Sequence, residues 1–201
     1  MMKGLIKLGI TLAAFAAAAC VGLAFVNQAT EKQIKINADI QLAESLRELF
    51  PTADSFDAII TSELEWNNVD IKLGEARVVK AAAESVGIAV MASGPSYGGP
   101  ATILVGIDID GKVAGVKILD LKDTPGLGAN AASVNYFVDK AKQTTFPDQF
   151  KGRAIDDGLK VKQDGGEIDT ITASTITSRA ITKIIKACGD AATARFIAGG
   201  K

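Results

Sequence analysis

The stretch ATILVGIDIDGKVAGVKILDL, from Ala101 to Leu121, carries the strongest fold signal in this chain of 201 residues. Two runs rich in valine and isoleucine flank Asp110-Gly111, and Asp-Gly between such runs is a strong hairpin signal. Two similar runs, ARVVKAAA and VGIAVMAS, come before it, starting at Ala76. The sequence therefore predicts an antiparallel sheet over residues 76–120.

The chain before this sheet predicts a helix followed by irregular structure. From Asn27 to Phe50, isoleucine and leucine recur at three- and four-residue steps, which is helical spacing, and Pro51 is expected to end the helix. The residues FPTADSFDAI, up to Ile59, predict a loop. The single tryptophan, Trp66, is expected to have a packing role.

The chain after the sheet predicts a mixture of helices and strands. Residues 132–142 predict a helix, and short apolar runs near 159–161 and 168–171 predict one more strand pair. The last helix is expected over about Thr175–Phe196. Its apolar stripe consists of Ile181, Ile184, Ile185 and Cys188.

The N-terminal segment is long and apolar enough to cross a membrane. The residues from Leu8 to Val26 carry no charge, and about twenty apolar residues span the hydrocarbon core. Lys3 and Lys7 precede this run, so the short N-terminus is expected in the cytoplasm and the remainder outside it. A cleaved signal peptide and a lipoprotein modified at Cys20 are the alternatives. The length of the apolar run favours an uncleaved anchor.

These patterns divide the chain into three regions. Residues 1–26 are expected to form a cytoplasmic tip and transmembrane anchor, residues 27–75 a helical stalk and connecting region, and residues 76–201 the main domain. The predicted fold class is α+β, with an antiparallel sheet and flanking helices outside the cytoplasm and one N-terminal transmembrane helix. Membrane lipid is accordingly an expected partner.

The composition argues against several classes of site. The chain has 22 basic and 23 acidic residues and no evident basic face, which gives no support to nucleic-acid binding. It has no histidine and no Cys-x-x-Cys motif, so a protein-bound metal, haem or iron–sulfur centre is not expected. It also lacks a Gly-x-Gly-x-x-Gly turn, so direct NAD binding is not expected.

The segment DTITASTITSRAIT, from Asp169 to Thr182, places five threonines and two serines around the expected start of the last helix. Thr172 and Ser174 are candidates for capping it, because hydroxyl oxygens accept hydrogen bonds from the first N–H groups of a helix. The same N–H groups and the helix dipole also favour a bound anion, to which neighbouring hydroxyls can donate. The residues alone leave simple capping and a phosphate site both open.

Two glycine-rich loops lie beside predicted strands. GPSYGGPATILV, Gly94–Val105, surrounds Ser96 and Tyr97 with glycine and proline, and LKDTPGLGAN, Leu121–Asn130, follows the hairpin. Glycine lets the backbone approach a flat ligand closely. Taken singly, each loop is also explained as a turn between strands.

The order of these three segments resembles the FMN-binding domain family, which includes the G subunits of Rnf electron transport complexes and the C subunits of sodium-pumping NADH:quinone reductases. The resemblance covers nearly the whole chain and rests on four features. These are a single N-terminal anchor, a Tyr-Gly-Gly-Pro loop, a Glu-Thr-Pro-Gly-Leu-Gly loop and an Asp-x-Ile-Ser-Gly-Ala-Thr-x-Thr-Ser motif. The compact length favours the Rnf branch of the family.

The resemblance implies that FMN is attached through its phosphate to the hydroxyl of Thr175. Ala173 and Ser174 depart from the family's usual Gly and Ala, and Asp123 stands where the family has Glu. Ala173 costs stability if the turn needs a positive φ there. The residues that match the motif are Asp169, Ile171, Ile176, Thr177, Ser178 and Arg179. The residues expected to bind the cofactor are Ser96, Tyr97, Gly98, Gly99, Thr124, Pro125, Gly126, Leu127, Gly128, Asp169, Thr172, Ser174, Thr177 and Ser178.

The function implied by the resemblance is that of an electron-relay subunit in a bacterial inner-membrane Rnf complex, which couples electron flow between ferredoxin and NAD to ion movement. Its expected partners are the other subunits and a flavin transferase that takes FMN from FAD. Direct ferredoxin binding and independent catalysis are not expected. A Ser/Thr hydrolase is an alternative, although the chain lacks a histidine base and a Ser-x-x-Lys pair. A membrane-tethered scaffold without cofactor is another.

Overall fold

The computed structural model describes residues 2–59, 69–82, 84–156 and 158–198, so the packing role expected for Trp66 lies outside the described residues. The chain divides into two compact units, Met1–Ala43 and Glu44–Lys201. Helix α1, Met2–Leu49, supplies the first unit, and its last residues belong to the second. The helix ends two residues before Pro51, as predicted.

In the first unit, α1 exposes its apolar side chains all round. An 18-residue window of this helix has a mean hydropathy of 2.2, and Phe15 and Phe25 are more than 70% exposed. Nineteen residues at a rise of about 1.5 Å cover roughly 28 Å, close to the thickness of the hydrocarbon core. Among the described residues, this is the one helix long and apolar enough to cross a membrane.

The second unit is built on a five-stranded antiparallel sheet, and the predicted sheet over residues 76–120 is confirmed. Its strands, which neighbour one another in chain order, are β1 Ser55–Ile59, β2 Lys72–Ala81, β3 Glu84–Pro95, β4 Pro100–Asp108 and β5 Val113–Asp120. The β4–β5 connection turns at Gly111, which has a φ of +75° and donates its N–H to the Asp108 carbonyl at 3.1 Å. The Asp110-Gly111 hairpin is therefore also confirmed.

Strand β1 occupies residues that the sequence predicted to be a loop, so that prediction is wrong for 55–59. Ser55 to Ile59 pair with Lys80 to Ala76 of β2, and Asp57 forms a 2.7 Å ion pair with Lys80. Aspartate is depleted in strands, so the local pattern predicted no strand. Strand β1 forms because its backbone pairs with the edge of β2, a contact that the local sequence pattern does not contain.

Helix α2, Thr175–Ala198, packs on one face of the sheet, in agreement with the prediction. All four residues of its predicted stripe are buried in the main core, together with Val90 of β3 and Ile103 and Val105 of β4. At Gly94 a Cβ atom would lie 2.9 Å from Cγ1 of Ile184, so the helix approaches the sheet closely there. Burial raises the pKa of the Cys188 thiol, and this residue acts as an apolar packing group.

The opposite face of the sheet receives the end of α1 at three glycines, which we call the glycine trough: Gly87 of β3, Gly106 of β4 and Gly115 of β5. Gly106 and Gly115 are directly paired across β4 and β5. A Cβ atom at Gly106 would lie 2.7 Å from the Phe50 ring, and one at Gly115 would lie 2.7 Å from Leu49. The absence of side chains in the trough makes room for these two residues.

The helix predicted over residues 132–142 does not form. A 3₁₀ turn occupies Gly128–Ala132, and strand β6, Phe137–Asp139, pairs with the two-residue strand β7, Thr144–Thr145. Valine and aromatic residues crowd this segment, and these side chains favour a pleated surface. The composition and the pairing with β7 therefore produce a short hairpin in place of the helix.

The strand pair predicted near 159–161 and 168–171 is reduced to one parallel bridge between Val161 and Ile168. Only six residues separate Val161 from Ile168, and they form a 3₁₀ turn at Lys162–Asp164 followed by a left-handed Gly165. This short connection does not allow a longer ladder of strand pairing. The Gln149 side chain then takes the place of a partner strand. It donates to the Asp169 carbonyl at 3.0 Å and accepts from the Asp169 N–H at 2.8 Å.

Candidate functional site

The three segments singled out in the sequence meet around one cavity of about 410 Å³. Its lining residues are Tyr97, Thr124, Leu127, Gly128, Ala173, Ser174, Thr175, Ile176 and Thr177. This volume lies within the range of small-molecule sites in proteins. The first turn of α2 forms one wall, the Thr124–Gly128 loop forms a second, and Tyr97 contributes from the loop between β3 and β4.

A strained turn leads into this wall. Ala173 has a φ of +59°, in the left-handed region that glycine occupies at no steric cost. The turn is closed by a 3.0 Å hydrogen bond from the Ser174 N–H to the Ile171 carbonyl. The positive φ anticipated at this position is therefore present, and alanine costs about 1–2 kcal/mol there. The turn sets the direction in which Ser174 and Thr175 enter the helix.

Three of the hydroxyls in this segment are buried and bonded within the protein. Thr177 donates to the carboxylate of Asp123. Ser178 donates to the Ser174 carbonyl at 2.9 Å and accepts from the Ile171 N–H at 3.0 Å. Thr182 donates to the Ser178 carbonyl at 2.8 Å. These hydroxyls hold the start of α2 together and are not available to a ligand without breaking those bonds.

Ser174 and Thr175 present the hydroxyls that remain at the cavity. Ser174 is only 7% exposed, yet its Oγ has no hydrogen-bond partner among the described residues. The capping bond expected from Ser174 is therefore not formed. Thr175 is half-buried, and its hydroxyl makes no hydrogen bond within the described part of the chain. A buried polar atom without a partner is costly, so Ser174 Oγ marks a place for a polar ligand.

Asp123 joins all three segments and was missed as a site residue in the sequence. Its carboxylate is 5% exposed and accepts hydrogen bonds from Ser96 Oγ at 2.8 Å, from the Gly98 N–H at 2.7 Å and from the Thr177 hydroxyl. The available signal was its position directly before Thr124-Pro125-Gly126. A carboxylate at the start of a glycine loop has backbone donors within reach.

The Thr124–Gly128 loop is a tight turn pressed against α2. Gly126 has a φ of +76°, and the Leu127 N–H donates to the Thr124 carbonyl at 3.1 Å, which with Pro125 is the signature of a type II turn. At Gly128 a Cβ atom would lie 2.5 Å from Thr177 Oγ1 and 2.6 Å from Asp123 Oδ2. Glycine is therefore required at 128 for the loop to reach the helix.

Several predicted cofactor residues lie near the cavity without lining it. Ser96 and Gly98 support it through Asp123, and the carbonyl of Gly99, a residue with a φ of +140°, accepts from the Ser96 N–H. The remaining residues that do not line it are Pro125, Gly126, Asp169, Thr172 and Ser178. Asp169 instead pairs with Lys162 at 2.7 Å.

Two further residues that support the segment were not anticipated. The N–H of Thr172 donates to the Tyr136 hydroxyl at 3.1 Å. The Thr172 hydroxyl accepts no hydrogen bond from α2 among the described residues, so it does not cap the helix. Gln149 holds the backbone of Asp169. The two contacts join residues that are 36 and 20 positions apart in the chain, so no local sequence motif predicts them.

Arg179 is the first charged residue of α2, and it forms a bidentate ion pair with Asp164. The guanidinium donates through Nε at 2.7 Å and through Nη2 at 2.6 Å. Hydrogen bonding by Arg179 holds the pKa of Asp164 below its ordinary value, and the same interaction raises the pKa of Arg179. Arg179 therefore remains charged, and its guanidinium is engaged by the Asp164 carboxylate.

Comparison with known proteins places these features in a family. Residues 96–190 match the FMN-binding domain, and residues 1–49 match the RnfG N-terminal region. The first match contains all three segments that surround the cavity, apart from the two residues of the first loop before Ser96. The second covers α1.

Full-length relatives agree with both matches. The chain is 31% identical to the G subunit of the ion-translocating oxidoreductase complex of Shewanella amazonensis, over 92% of this chain and 86% of the relative. It is 34% identical to the G subunit of the Na(+)-translocating ferredoxin:NAD(+) oxidoreductase complex of Acetobacterium woodii, over 90% and 87%. It is 31% identical to the corresponding Escherichia coli protein, over 94% and 91%. The chain belongs to the RnfG family, the G subunits of ion-translocating oxidoreductase complexes, and contains their FMN-binding domain.

Proposed function

We propose that this chain is the electron-relay subunit of a membrane-bound, ion-translocating ferredoxin:NAD oxidoreductase complex and carries FMN joined by a phosphoester to Thr175. The observation that carries the proposal is the hydroxyl of Thr175, which lies at the start of α2 on the wall of the 410 Å³ cavity and makes no hydrogen bond within the part of the chain that the structure describes. Its neighbours Thr177 and Ser178 are buried and bonded elsewhere.

The residues around the cavity fit FMN. The first N–H groups of a helix are unpaired within the helix and favour an anion, and Ser174 Oγ lies beside them without a partner among the described residues. These groups would hold the phosphate. Tyr97 and Leu127 are 67% and 42% exposed at the cavity and would flank the flavin ring. FMN supplies reversible electron transfer when it is bound, and the protein supplies its position and surroundings.

The attachment needs no base within this chain. Thr175 Oγ would form the new bond to the FMN phosphorus of FAD, the pyrophosphate bond would break, and AMP would leave as the threonine proton is taken up by the flavin transferase. The resulting phosphodiester is negative, and the dipole of α2 stabilises a charge at this end by about 0.3–1 kcal/mol where it is exposed. The expected partners are therefore the transferase during maturation and the other subunits afterwards.

Co-expression with a flavin transferase tests the attachment site. The wild-type chain is expected to fluoresce under ultraviolet light after denaturing electrophoresis, and its intact mass should exceed that of the polypeptide by one FMN less one water. Thr175→Ala should remove both signals. Thr170→Ala is the matched control, because it makes the same change in the same segment at a hydroxyl that accepts from Gln163 away from the cavity.

The outcomes separate the competing functions. Fluorescence that persists in Thr175→Ala would move the site to another hydroxyl. A wild-type chain that stays bare beside an active transferase would contradict the flavin proposal and favour a tethered scaffold. A hydrolase would need an activated hydroxyl, and the chain has no histidine to activate one.

A further inference from the structure

The buried carboxylate of Asp123 has no cation to balance it among the described ion pairs, none of which includes this residue. It is 5% exposed. Burying a carboxylate is costly unless hydrogen bonds replace its water. Here three donors do so: the Ser96 hydroxyl, the Gly98 N–H and the Thr177 hydroxyl. A carboxylate held in this way by three different groups restricts all of them.

The three donors come from two different parts of the chain that surround the cavity, the loop between β3 and β4 and the first turn of α2. Ser96 and Gly98 stand on either side of Tyr97, which lines the cavity. Thr177 lies in the first turn of α2, two residues after Thr175. Asp123 itself directly precedes the Thr124–Gly128 loop. One side chain therefore connects all the segments that form the cavity.

We propose that Asp123 is a positioning residue for flavin attachment: it fixes the first turn of α2 against both loops, so that Thr175 presents its hydroxyl while Thr177 is held inside. This inference rests on the proposed attachment at Thr175. Asp123 acts through Thr177, Ser96 and Gly98 and needs no contact with the phosphate. Charge-assisted hydrogen bonds of this kind are stronger than neutral ones, which suits a role in holding loops together.

The test measures the initial rate of FMN incorporation by purified transferase into the unloaded full chain in detergent. Asp123→Ala should lower the rate at least about tenfold, because even a small displacement of the reacting hydroxyl slows the reaction strongly. Asp123→Glu keeps the carboxylate and should restore most of the rate. The matched control is Asp120→Ala at the end of β5, where the carboxylate is exposed and 3.7 Å from Lys122. It should react like the wild type.

Thr177→Val provides a second variant if Asp123→Ala does not fold. It removes one of the three bonds while keeping the shape of the side chain, and it should also lower the rate. Wild-type rates in both variants, or an equal loss in Asp123→Glu and Asp123→Ala, would overturn the inference.

Hydrogen exchange on the unloaded protein separates this inference from the proposed function. Loss of Asp123 should speed amide exchange at Gly98 and at Ser178, whose N–H donates to the Ser174 carbonyl, together by about tenfold, whereas Asp120→Ala should leave both unchanged. If the wild type takes up no FMN, the proposed function fails whatever the exchange shows. If the wild type is loaded and Asp123→Ala is loaded equally fast, only the positioning role fails.

Discussion

At the scale of single residues, neighbouring hydroxyls differ in their hydrogen-bond partners. Thr177 and Ser178 use their oxygens to hold α2 to Asp123 and to the preceding turn. Ser174 and Thr175 keep theirs unbonded within the described chain, at the cavity. Thr175 and Thr177 are two residues apart, which is about 200° around a helix with 3.6 residues per turn, so their side chains leave α2 in different directions.

Ala173→Gly should stabilise the protein. The alanine at a φ of +59° costs about 1–2 kcal/mol, and the extra freedom of glycine in the unfolded chain offsets about 0.4–1 kcal/mol of that. The expected net gain is up to about 1.5 kcal/mol in the free energy of unfolding, or at most roughly 3–6 °C in Tm for a protein of this size. Thermal unfolding of the unloaded chain in detergent measures it.

Ala180→Gly is the matched control for that change, since it lies inside α2 with ordinary helical geometry. It should lower stability by about 1 kcal/mol. A loss of stability in Ala173→Gly similar to that in the control would show that the left-handed turn is not strained.

At the scale of elements, the glycine trough decides where the end of α1 meets the sheet. Phe50 lies over Gly87 and Gly106, Leu49 lies over Gly115, and Glu48 pairs with Lys117 of β5. Within the second unit this contact covers the face of the sheet opposite α2. Glycine is disfavoured in strands, so three of them packed against one aromatic and one aliphatic side chain indicate a packing requirement.

Gly106→Ala should destabilise the second unit by about 1–3 kcal/mol, because its Cβ would lie 2.7 Å from the Phe50 ring and the ring would have to move. Denaturant unfolding of the full chain in detergent measures the loss. The double variant with Phe50→Leu should lose less than the sum of the single changes, because the smaller side chain relieves the overlap. Strict additivity would show that the two residues do not touch.

At the scale of the whole molecule, the chain combines a membrane-length helix with a folded unit that contains the candidate flavin site. We expect the second unit to lie outside the cytoplasm, because Lys3 and Lys7 precede the apolar run and positive charge is retained on the cytoplasmic side. In that arrangement Thr175 meets an external transferase. We still propose that residues 1–26 form the cytoplasmic tip and anchor. In the same proposal, residues 27–75 form the stalk and connecting region, and residues 76–201 form the main domain.

A reporter enzyme that is active only in the periplasm, fused after Lys201, should be active in cells. Changing both Lys3 and Lys7 to Glu should reduce that activity severalfold, because the charge bias that orients the helix is removed. Activity of a cytoplasm-only reporter at the same fusion point would place the domain on the inner side and contradict the proposed maturation.

The sequence predicted correctly those elements that depend on neighbouring residues, and it missed those that depend on contacts between residues far apart in the chain. The β4–β5 hairpin and the stripe of α2 were predicted because turn chemistry and periodicity are local. Strand β1 and the hairpin at 137–145 were missed because each depends on a partner strand. Asp123, Tyr136 and Gln149 were missed for the same reason, since their contacts with the site reach across many residues.

The sequence by itself determined the apolar helix, the antiparallel sheet, the last helix and the three segments that mark the family, because each is written in neighbouring residues. Only the tertiary structure decided that these segments surround one cavity and which hydroxyls at its wall stay unbonded within the described chain. The physical reason is that a hydroxyl or carboxylate can satisfy its hydrogen bonds with any partner the fold brings within about 3 Å. Asp123 and Thr177, 54 positions apart in the sequence, became such partners only when α2 packed against the loop.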